Sequence, residues 1–356
     1  MSNLNTTTDD LRIMEVKEVD SPAALIEDFP LTDDAAKTVS MARQESHNIL
    51  HGEDDRLIVV VGPCSIHDTR AALEYAGRLA TMREELKDDL HIIMRVYFEK
   101  PRTSVGWKGL INDPDLTNKF NINKGLRVAR ELLVNLAEQG MPTATEYLDL
   151  ISPQYVADLI SWGAIGARTT ESQAHRELAS GISCPIGFKN GTYGNLDIAV
   201  NAIKSSSNSH HFLSVTKEGH SAIFTTKGNE DCHIILRGGR RPNYDEVSVG
   251  EALEELGKAG LAQNLMVDFS HANSNKDFKN QPKVSTNIAN QISGGQKGIS
   301  GVMIESHLVE GNQNGSGKTL EELTYGQSIT DACINWDDTE VVLRQLAGAV
   351  AKRRSA

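Results

Sequence analysis

Residues that can bind a metal ion or an anion follow the short apolar runs of this sequence. The eight runs cover residues 57–61, 92–98, 142–148, 164–169, 185–188, 233–236, 265–267 and 299–304. At or just beyond their ends stand Cys64, Arg95 with Lys100, Glu146, Arg168, Lys189, Arg237, Asp268 with His271, and Glu305. Core packing does not require metal-binding or anion-binding residues at strand ends. In a parallel barrel, however, the active site lies at the ring of strand carboxyl ends, so such residues are expected there. The pattern predicts a site at the mouth of a barrel.

Six of the candidate residues are cations. They are Arg95, Lys100, Arg102, Arg168, Lys189 and Arg237. Guanidinium groups bind phosphate and carboxylate through two parallel hydrogen bonds, and converging cations repel one another unless anions lie between them. The set predicts a ligand with more than one phosphate-sized group, and a carboxylate would also suit it. The alternative is that each cation lies at the surface beside a local carboxylate partner.

A second set of candidates has the ligand chemistry of a metal site. Cys64 follows the first run, His271 the seventh, and Glu305 the eighth, while Asp331 lies further on in SITDAC. One thiolate, one imidazole and two carboxylates suit a divalent transition ion better than Mg²⁺ or Ca²⁺, which prefer oxygen ligands. The sequence spacing alone favours the simpler interpretation, in which Cys64 is a small buried apolar residue. Only a barrel brings these positions together.

The elements that must position these residues alternate between strand and helix patterns. Helical patterns cover residues 33–50, 70–86, 125–138, 153–162 and 249–258, which favours a parallel sheet covered by helices. A doubly wound sheet also alternates, but its site is confined to one switch point. We therefore predict an α/β fold, a (β/α)8 TIM barrel. Residues 1–50 form an N-terminal arm and helix, with 11–19 as an edge strand or docking arm, and residues 51–356 form the barrel. A hairpin is inserted at about 210–228, and the long 99–124 connection is a functional loop.

Composition limits the partners. The chain has 36 Lys and Arg against 48 Asp and Glu, a formal charge of −12. That charge argues against a nucleic-acid partner and against a general role at anionic membranes. There is no run of about 18 apolar residues, as a membrane span requires, and the first residues do not resemble an export signal. We expect a cytoplasmic protein.

The motifs around these residues resemble those of the type I 3-deoxy-D-arabino-heptulosonate-7-phosphate (DAHP) synthases. The matching strings are GPCSIHD (62–68), MRVYFEKPRT (94–103), GWKGLINDP (106–114), GARTTESQ (166–173), GFKNGT (187–192), HIILRGG (233–239), DFSHAN (268–273), ESHLVEGNQ (305–313) and SITDAC (328–333). The resemblance implies a homo-oligomer, dimer or tetramer, that condenses phosphoenolpyruvate with erythrose 4-phosphate. It also implies one divalent transition metal ion per subunit: Mn, Fe, Co or Zn.

The resemblance further implies roles for individual residues. The metal ligands are Cys64, His271, Glu305 and Asp331. Phosphoenolpyruvate binds Arg95, Lys100, Ala167, Arg168, Lys189 and Arg237, and erythrose phosphate binds Arg102 and Thr103. Glu146 positions water or balances charge. The acid that protonates the new alkoxide is Lys100 or a water on the ion, and Arg95 and Arg102 are expected to depress the pKa of Lys100.

The family also implies feedback inhibition by an aromatic amino acid. The matching positions are Asp10, Leu150, Gln154, Leu178, Ser183, Phe212, Ser214 and Phe224. The 212–215 segment resembles the phenylalanine-sensitive class, since a hydroxyl at Ser214 would crowd the phenol of tyrosine. Two alternatives remain open: a related synthase that uses arabinose 5-phosphate, and a catalytically silent amino-acid sensor.

Overall fold

The computed structural model describes residues 8–102 and 106–355. Eight strands form a closed parallel barrel, in which each strand pairs with its neighbours in the chain and the first pairs with the eighth. In chain order the barrel strands are Leu57–Gly62, Leu90–Arg95, Thr143–Glu146, Trp162–Ile165, Ile186–Lys189, Cys232–Leu236, Leu265–Asp268 and Ile299–Glu305. Closure of the sheet confirms the predicted (β/α)8 barrel and excludes the doubly wound alternative.

A helix follows every barrel strand. The helices that follow the strands, in order, are Thr69–Glu85, Ile122–Glu138, Pro153–Val156, Gln173–Gly181, Asp197–Ser206, Glu246–Lys258, Gln281–Ser293 and Trp336–Ser355. Two more, Pro22–Asp28 and Asp33–Leu50, precede the barrel. Within the described ranges, none of these helices combines the length and the apolar character that a membrane crossing needs.

The strands read as continuous apolar runs because both of their faces are buried. In the first strand Val59 and Val61 belong to the cluster that packs against the helices. Ile58 and Val60 alternate with them and belong to a second cluster, formed with residues of the other strands inside the barrel. This inner cluster includes Ile49 and Leu50, so the end of the Asp33–Leu50 helix closes the amino-terminal end of the barrel.

An antiparallel hairpin lies between the fifth and sixth barrel strands, where the sequence predicts one. Its strands are His211–Val215 and Ser221–Thr225, joined through five residue pairs. A smaller pair of strands, Val309–Asn312 and Gln327–Ser328, follows the eighth barrel strand. The loop after the second barrel strand is as long as expected, since the next helix begins only at Ile122.

The two largest errors in the sequence-based boundaries concern the helix after the third barrel strand and the end of the fourth strand. The helix expected over residues 153–162 ends at Val156 and continues as one 3₁₀ turn, Ala157–Leu159, because Trp162 is needed inside the barrel as the start of the fourth strand. That strand ends at Ile165 rather than at 169, since the amides of Thr169 and Thr170 turn back to the carbonyl of Gly166.

For the N-terminal arm the sequence left two alternatives open, an edge strand and a docking arm. Residues 11–19, which are all described, form no strand and expose their large apolar side chains. The edge-strand alternative is therefore wrong, and the docking-arm interpretation stays a prediction.

Candidate active site

The carboxyl ends of the barrel strands open into a cavity of about 610 Å³. Nine of the predicted residues line it: Lys100, Arg102, Glu146, Ala167, Arg168, Lys189, Arg237, His271 and Asp331. Cys64, Arg95 and Glu305 are buried at the ends of the first, second and eighth strands. Thr103 lies outside the described residues. The fold therefore collects in one place residues that are far apart in the sequence.

Three of the four predicted metal ligands converge. The Sγ atom of Cys64 and one carboxylate oxygen each of Glu305 and Asp331 all lie within 4.8 Å of one another. Glu305 is held from two sides, because the Ser270 hydroxyl donates to its Oε2 at 2.7 Å and the Arg95 guanidinium to its Oε1 at 3.2 Å. A sulfur and two carboxylate oxygens form a donor set that fits a divalent transition ion.

His271 stands beside this group rather than in it. Its Nδ1 lies 2.8 Å from Oδ2 of Asp268, a carboxylate that is fully buried at the end of the seventh strand. Histidines that bind metals usually direct the second ring nitrogen at such a carboxylate, which orients the ring. The arrangement leaves Nε2 available as a fourth donor. Asp268 thus lies where it would orient His271 if that residue binds the ion, a contact that the sequence did not reveal.

The charges around Cys64 also favour a bound cation. Burial, followed by the charge of Glu305, raises the pKa of the Cys64 thiol to about 11. A divalent ion at this point would reverse that effect, since a coordinating thiol loses its proton. The residues present therefore fit the implied metal ion.

The expectation of a depressed Lys100 pKa is wrong. Burial alone would lower it, but Cys64 and Glu305 outweigh burial and raise the pKa of Lys100 above its ordinary value. Its ammonium lies 3.1 Å from the Cys64 sulfur. Arg102, one of the two cations expected to depress it, instead donates from Nε to the carbonyl of Trp107 at 2.8 Å. Lys100 is therefore a stable cation.

Two of the six cations pair with carboxylates, but these pairs are buried and join different strand ends, so the alternative of surface cations with local partners does not describe them. Arg95 pairs with Glu305, and Lys189 pairs with Asp268 at 2.9 Å. Arg168 and Arg237 form no salt bridge among the described residues. The pKa of Arg237 is lowered, first by burial and also by the neighbouring charge of Arg168. An anion in the cavity would relieve this repulsion.

A buried asparagine fixes the ends of the fifth and sixth strands. Asn190, which follows Lys189, accepts the amide of Arg237 at 2.8 Å and donates to the carbonyl of Gly238 at 3.0 Å. These bonds set the positions of both cations. The sequence carried one signal of this, an asparagine directly after a strand-end lysine in GFKNGT.

Comparison with known proteins decides the family. A sequence model described as the DAHP synthetase I family matches residues 29–344. The chain is 63% identical over 351 residues to the Phe-sensitive phospho-2-dehydro-3-deoxyheptonate aldolase of Escherichia coli strain K12, with 99% of this chain and 100% of that protein covered. The chain belongs to the DAHP synthetase I family. It is an enzyme of the DAHP synthase type, and its likeness to the phenylalanine-sensitive class is confirmed.

Other relatives agree with this placement. The Trp-sensitive aldolase of Enterobacter agglomerans is 52% identical over 347 residues, which cover 97% of this chain and 99% of that protein. The solved structure of the aldolase from Francisella tularensis SCHU S4 superposes with a TM-score of 0.94 at 54% identity, covering 96% of this chain and 99% of that one.

A second cavity, of about 360 Å³, lies between the inserted hairpin and the helix Gln173–Gly181. Five of the predicted inhibitor positions line it: Gln154, Leu178, Phe212, Ser214 and Phe224. Phe212 and Phe224 are cross-strand partners with ring centroids 6.1 Å apart. Asp10, Leu150 and Ser183 do not line this cavity within one chain, and all three are exposed.

Substituting Gly166 by alanine is expected to reduce catalysis without unfolding the barrel. A Cβ atom there would lie 2.1 Å from Oε1 of Glu146, so the Glu146 carboxylate must leave its position in the cavity. A displacement of about 1 Å at such a site costs about 100-fold in rate. We expect a fall of this order in kcat/KM with little change in the thermal midpoint. Gly77→Ala is the control, because a Cβ there meets nothing within 4 Å; equal kinetics of the two variants would contradict the prediction.

Proposed function

We propose that this DAHP synthase condenses phosphoenolpyruvate with D-erythrose 4-phosphate and water to give DAHP and phosphate. This is the first step of the shikimate pathway. The observation that carries the proposal is one cavity in which a sulfur and oxygen donor cluster lies beside unpaired guanidinium groups. Two phosphates and a carboxylate are the anions that such a set of cations suits.

Each part of the cavity has a task in this reaction. Cys64, His271, Glu305 and Asp331 hold the divalent ion, which when bound acts as a Lewis acid on the aldehyde of erythrose 4-phosphate. Arg95, Lys100, Arg168 with Ala167, Lys189 and Arg237 bind phosphoenolpyruvate so that its methylene carbon faces that aldehyde. Arg102 and Thr103 bind the phosphate of the second substrate. Glu146 orients the water that adds to the enol ether carbon before phosphate leaves with cleavage of its C–O bond.

Lys100 suits the role of proton donor to the new alkoxide by its position and its charge, although its raised pKa makes it a weaker acid than an ordinary lysine. A group that stays protonated and touches the metal-site sulfur is ready to donate once negative charge develops nearby. Lys100→Met should lose most of its turnover while it still binds phosphoenolpyruvate through the remaining cations. Near-normal turnover with intact binding would exclude Lys100 as the donor.

Phosphate release measured with each aldose separates the candidate enzymes. Erythrose 4-phosphate should support rapid release, and arabinose 5-phosphate should not.

Treatment with a chelator should abolish the activity, and Mn²⁺ or Fe²⁺ should restore it. Absence of activity under all conditions would favour the silent sensor.

We further propose that phenylalanine inhibits this enzyme through the 360 Å³ cavity. Apolar rings at Phe212 and Phe224 would pack on the effector ring, and Ser214 would disfavour a phenol. The exposed arm, with Leu11, Ile13, Met14 and Val16, would complete the cavity of a neighbouring copy in a homo-oligomer, a dimer or tetramer.

Inhibition measured separately with phenylalanine, tyrosine and tryptophan tests the effector; equal insensitivity to all three would reject it. A monomeric mass by light scattering would reject the oligomer.

A further inference from the structure

A second group of metal-type donors lies at the end of the barrel opposite to the active site. His47 and His51 stand at the end of the helix Asp33–Leu50, and Asp231 directly precedes the sixth barrel strand. The two histidines have the i, i+4 spacing that places them on one face of a helix. We propose that His47, His51 and Asp231 form a second binding site for a divalent transition metal ion.

The donors already converge. One ligand atom of each residue lies within 4.8 Å of the others, as in the active-site cluster. Nδ1 of His47 and Nε2 of His51 lie 2.7 and 2.9 Å from the same oxygen, Oδ1 of Asp231. The two imidazole rings are 4.2 Å apart and tilted by 33°, so both present a nitrogen to one point. Two imidazole nitrogens and a carboxylate oxygen suit Zn²⁺, Ni²⁺ or Cu²⁺.

The surrounding backbone holds each donor in place. The amide of Asp231 donates to the side chain of Asn229 at 3.0 Å, and the buried Asn229 amide donates to the carbonyls of Ala179 and Cys184. The amide of His51 bonds to the carbonyl of His47, which closes the last turn of the helix. The donor side chains themselves are already together through Oδ1 of Asp231, so less of the binding free energy is lost to ordering them.

The electrostatics of the position favour a cation. The carboxyl end of a helix carries a partial negative charge, equivalent to roughly half an elementary charge. Here it adds to the charge of Asp231, whose side chain is 18% exposed, and the two histidine side chains are 29% and 36% exposed. An ion can therefore reach these partly exposed donors from solvent.

Binding would tie the N-terminal helix to the barrel. The ligands are separated by 184 and 180 residues in sequence, so the ion would cross-link the two ends of a very long loop. A cross-linking ion stabilises the folded chain because it binds the folded state and not the unfolded one. It would hold Ile49 and Leu50 in the amino-terminal end of the barrel, away from the catalytic residues. The site would act on stability and leave the chemistry at the other end unchanged.

Equilibrium dialysis of the untagged, chelator-stripped enzyme against Zn²⁺ tests the proposal. The wild type should bind two equivalents per chain, and His51→Gln should bind one, with the affinity of the lost site reduced about 100-fold or more. Asp231→Asn should behave in the same way. Zn²⁺ should raise the thermal midpoint of the wild type by more than that of His51→Gln, while the specific activity of the two remains equal.

Two further variants make the result specific. His220→Gln removes an exposed histidine of the hairpin turn and should retain both equivalents. Cys64→Ala should retain the second equivalent whether or not the active site binds an ion, so failure of the proposed catalytic site and failure of this one are distinguishable. The proposal is overturned if His51→Gln binds as much Zn²⁺ as the wild type, or if Cys64→Ala binds none.

Discussion

Replacing Cys64 by alanine should abolish the active-site metal and lower kcat/KM by about 1,000-fold or more. Sγ of Cys64 converges with oxygens of Glu305 and Asp331, so its loss removes one of the three donors that already lie together and the soft ligand of the set. Lewis-acid stabilisation is worth several kcal/mol, and each 1.36 kcal/mol is tenfold in rate. The measurements are bound metal per chain and steady-state kinetics with both substrates.

Serine should not rescue this variant. A serine hydroxyl fills nearly the same space, but it stays protonated and is a harder donor than a thiolate. Cys184→Ala is the matched control, because Cys184 is equally buried and contacts Tyr147 away from the site. A Cys64→Ala enzyme that retains its metal and a tenth or more of its activity would remove Cys64 from the ligand set.

The position of a site residue in the barrel decides whether the sequence could predict it. Cys64, Lys189 and Glu305 sit at or just after strand ends, and a closed parallel barrel brings every strand end to one mouth. Once the strand pattern is recognised, their proximity follows without knowledge of the loops. The barrel itself was predictable for the same reason, since strands buried on both faces read as continuous apolar runs.

Contacts between loops were not predictable in this way. Lys100 has cations close by in sequence, which suggests a depressed pKa, but its nearest charged groups come from other strand ends. Asp268 was noticed only as a strand-end residue, and its proximity to Lys189 and His271 requires the folded seventh strand. The direction of a pKa shift depends on such distances, which local sequence does not contain.

The His47, His51 and Asp231 cluster shows the same limit at the other end of the barrel. The two histidines have a recognisable helical spacing, but the third group lies about 180 residues away. Sequence reasoning also extended the helix at 153–162 too far, because local propensity does not reveal that Trp162 must pack inside the barrel. Long-range packing overrides local preference in both cases.

Replacing Lys189 by methionine should destabilise the protein by about 3–5 kcal/mol, in addition to weakening phosphoenolpyruvate binding. Lys189 and Asp268 form an ion pair with Nζ–Oδ2 at 2.9 Å, and their side chains are 5% and 0% exposed. Removing one partner of a buried pair leaves an uncompensated charge, and losses of this size follow. Urea denaturation in the presence of a chelator measures the free energy of unfolding without a contribution from bound metal.

A double-mutant cycle identifies the ion pair as the cause. Asp268→Asn keeps the shape of the side chain and removes its charge, so the variant with both substitutions should lose less than the sum of the single losses, by 1 kcal/mol or more. Lys258→Met is the matched control: Lys258 pairs with Glu254 at 2.7 Å, but both side chains are largely exposed, and a loss below about 0.5 kcal/mol is expected. Additive losses at Lys189 and Asp268 would show that each residue acts through packing alone. A true coupling would show that the pair of Lys189 and Asp268 stabilises the barrel, through the same Oδ2 atom that lies 2.8 Å from Nδ1 of His271.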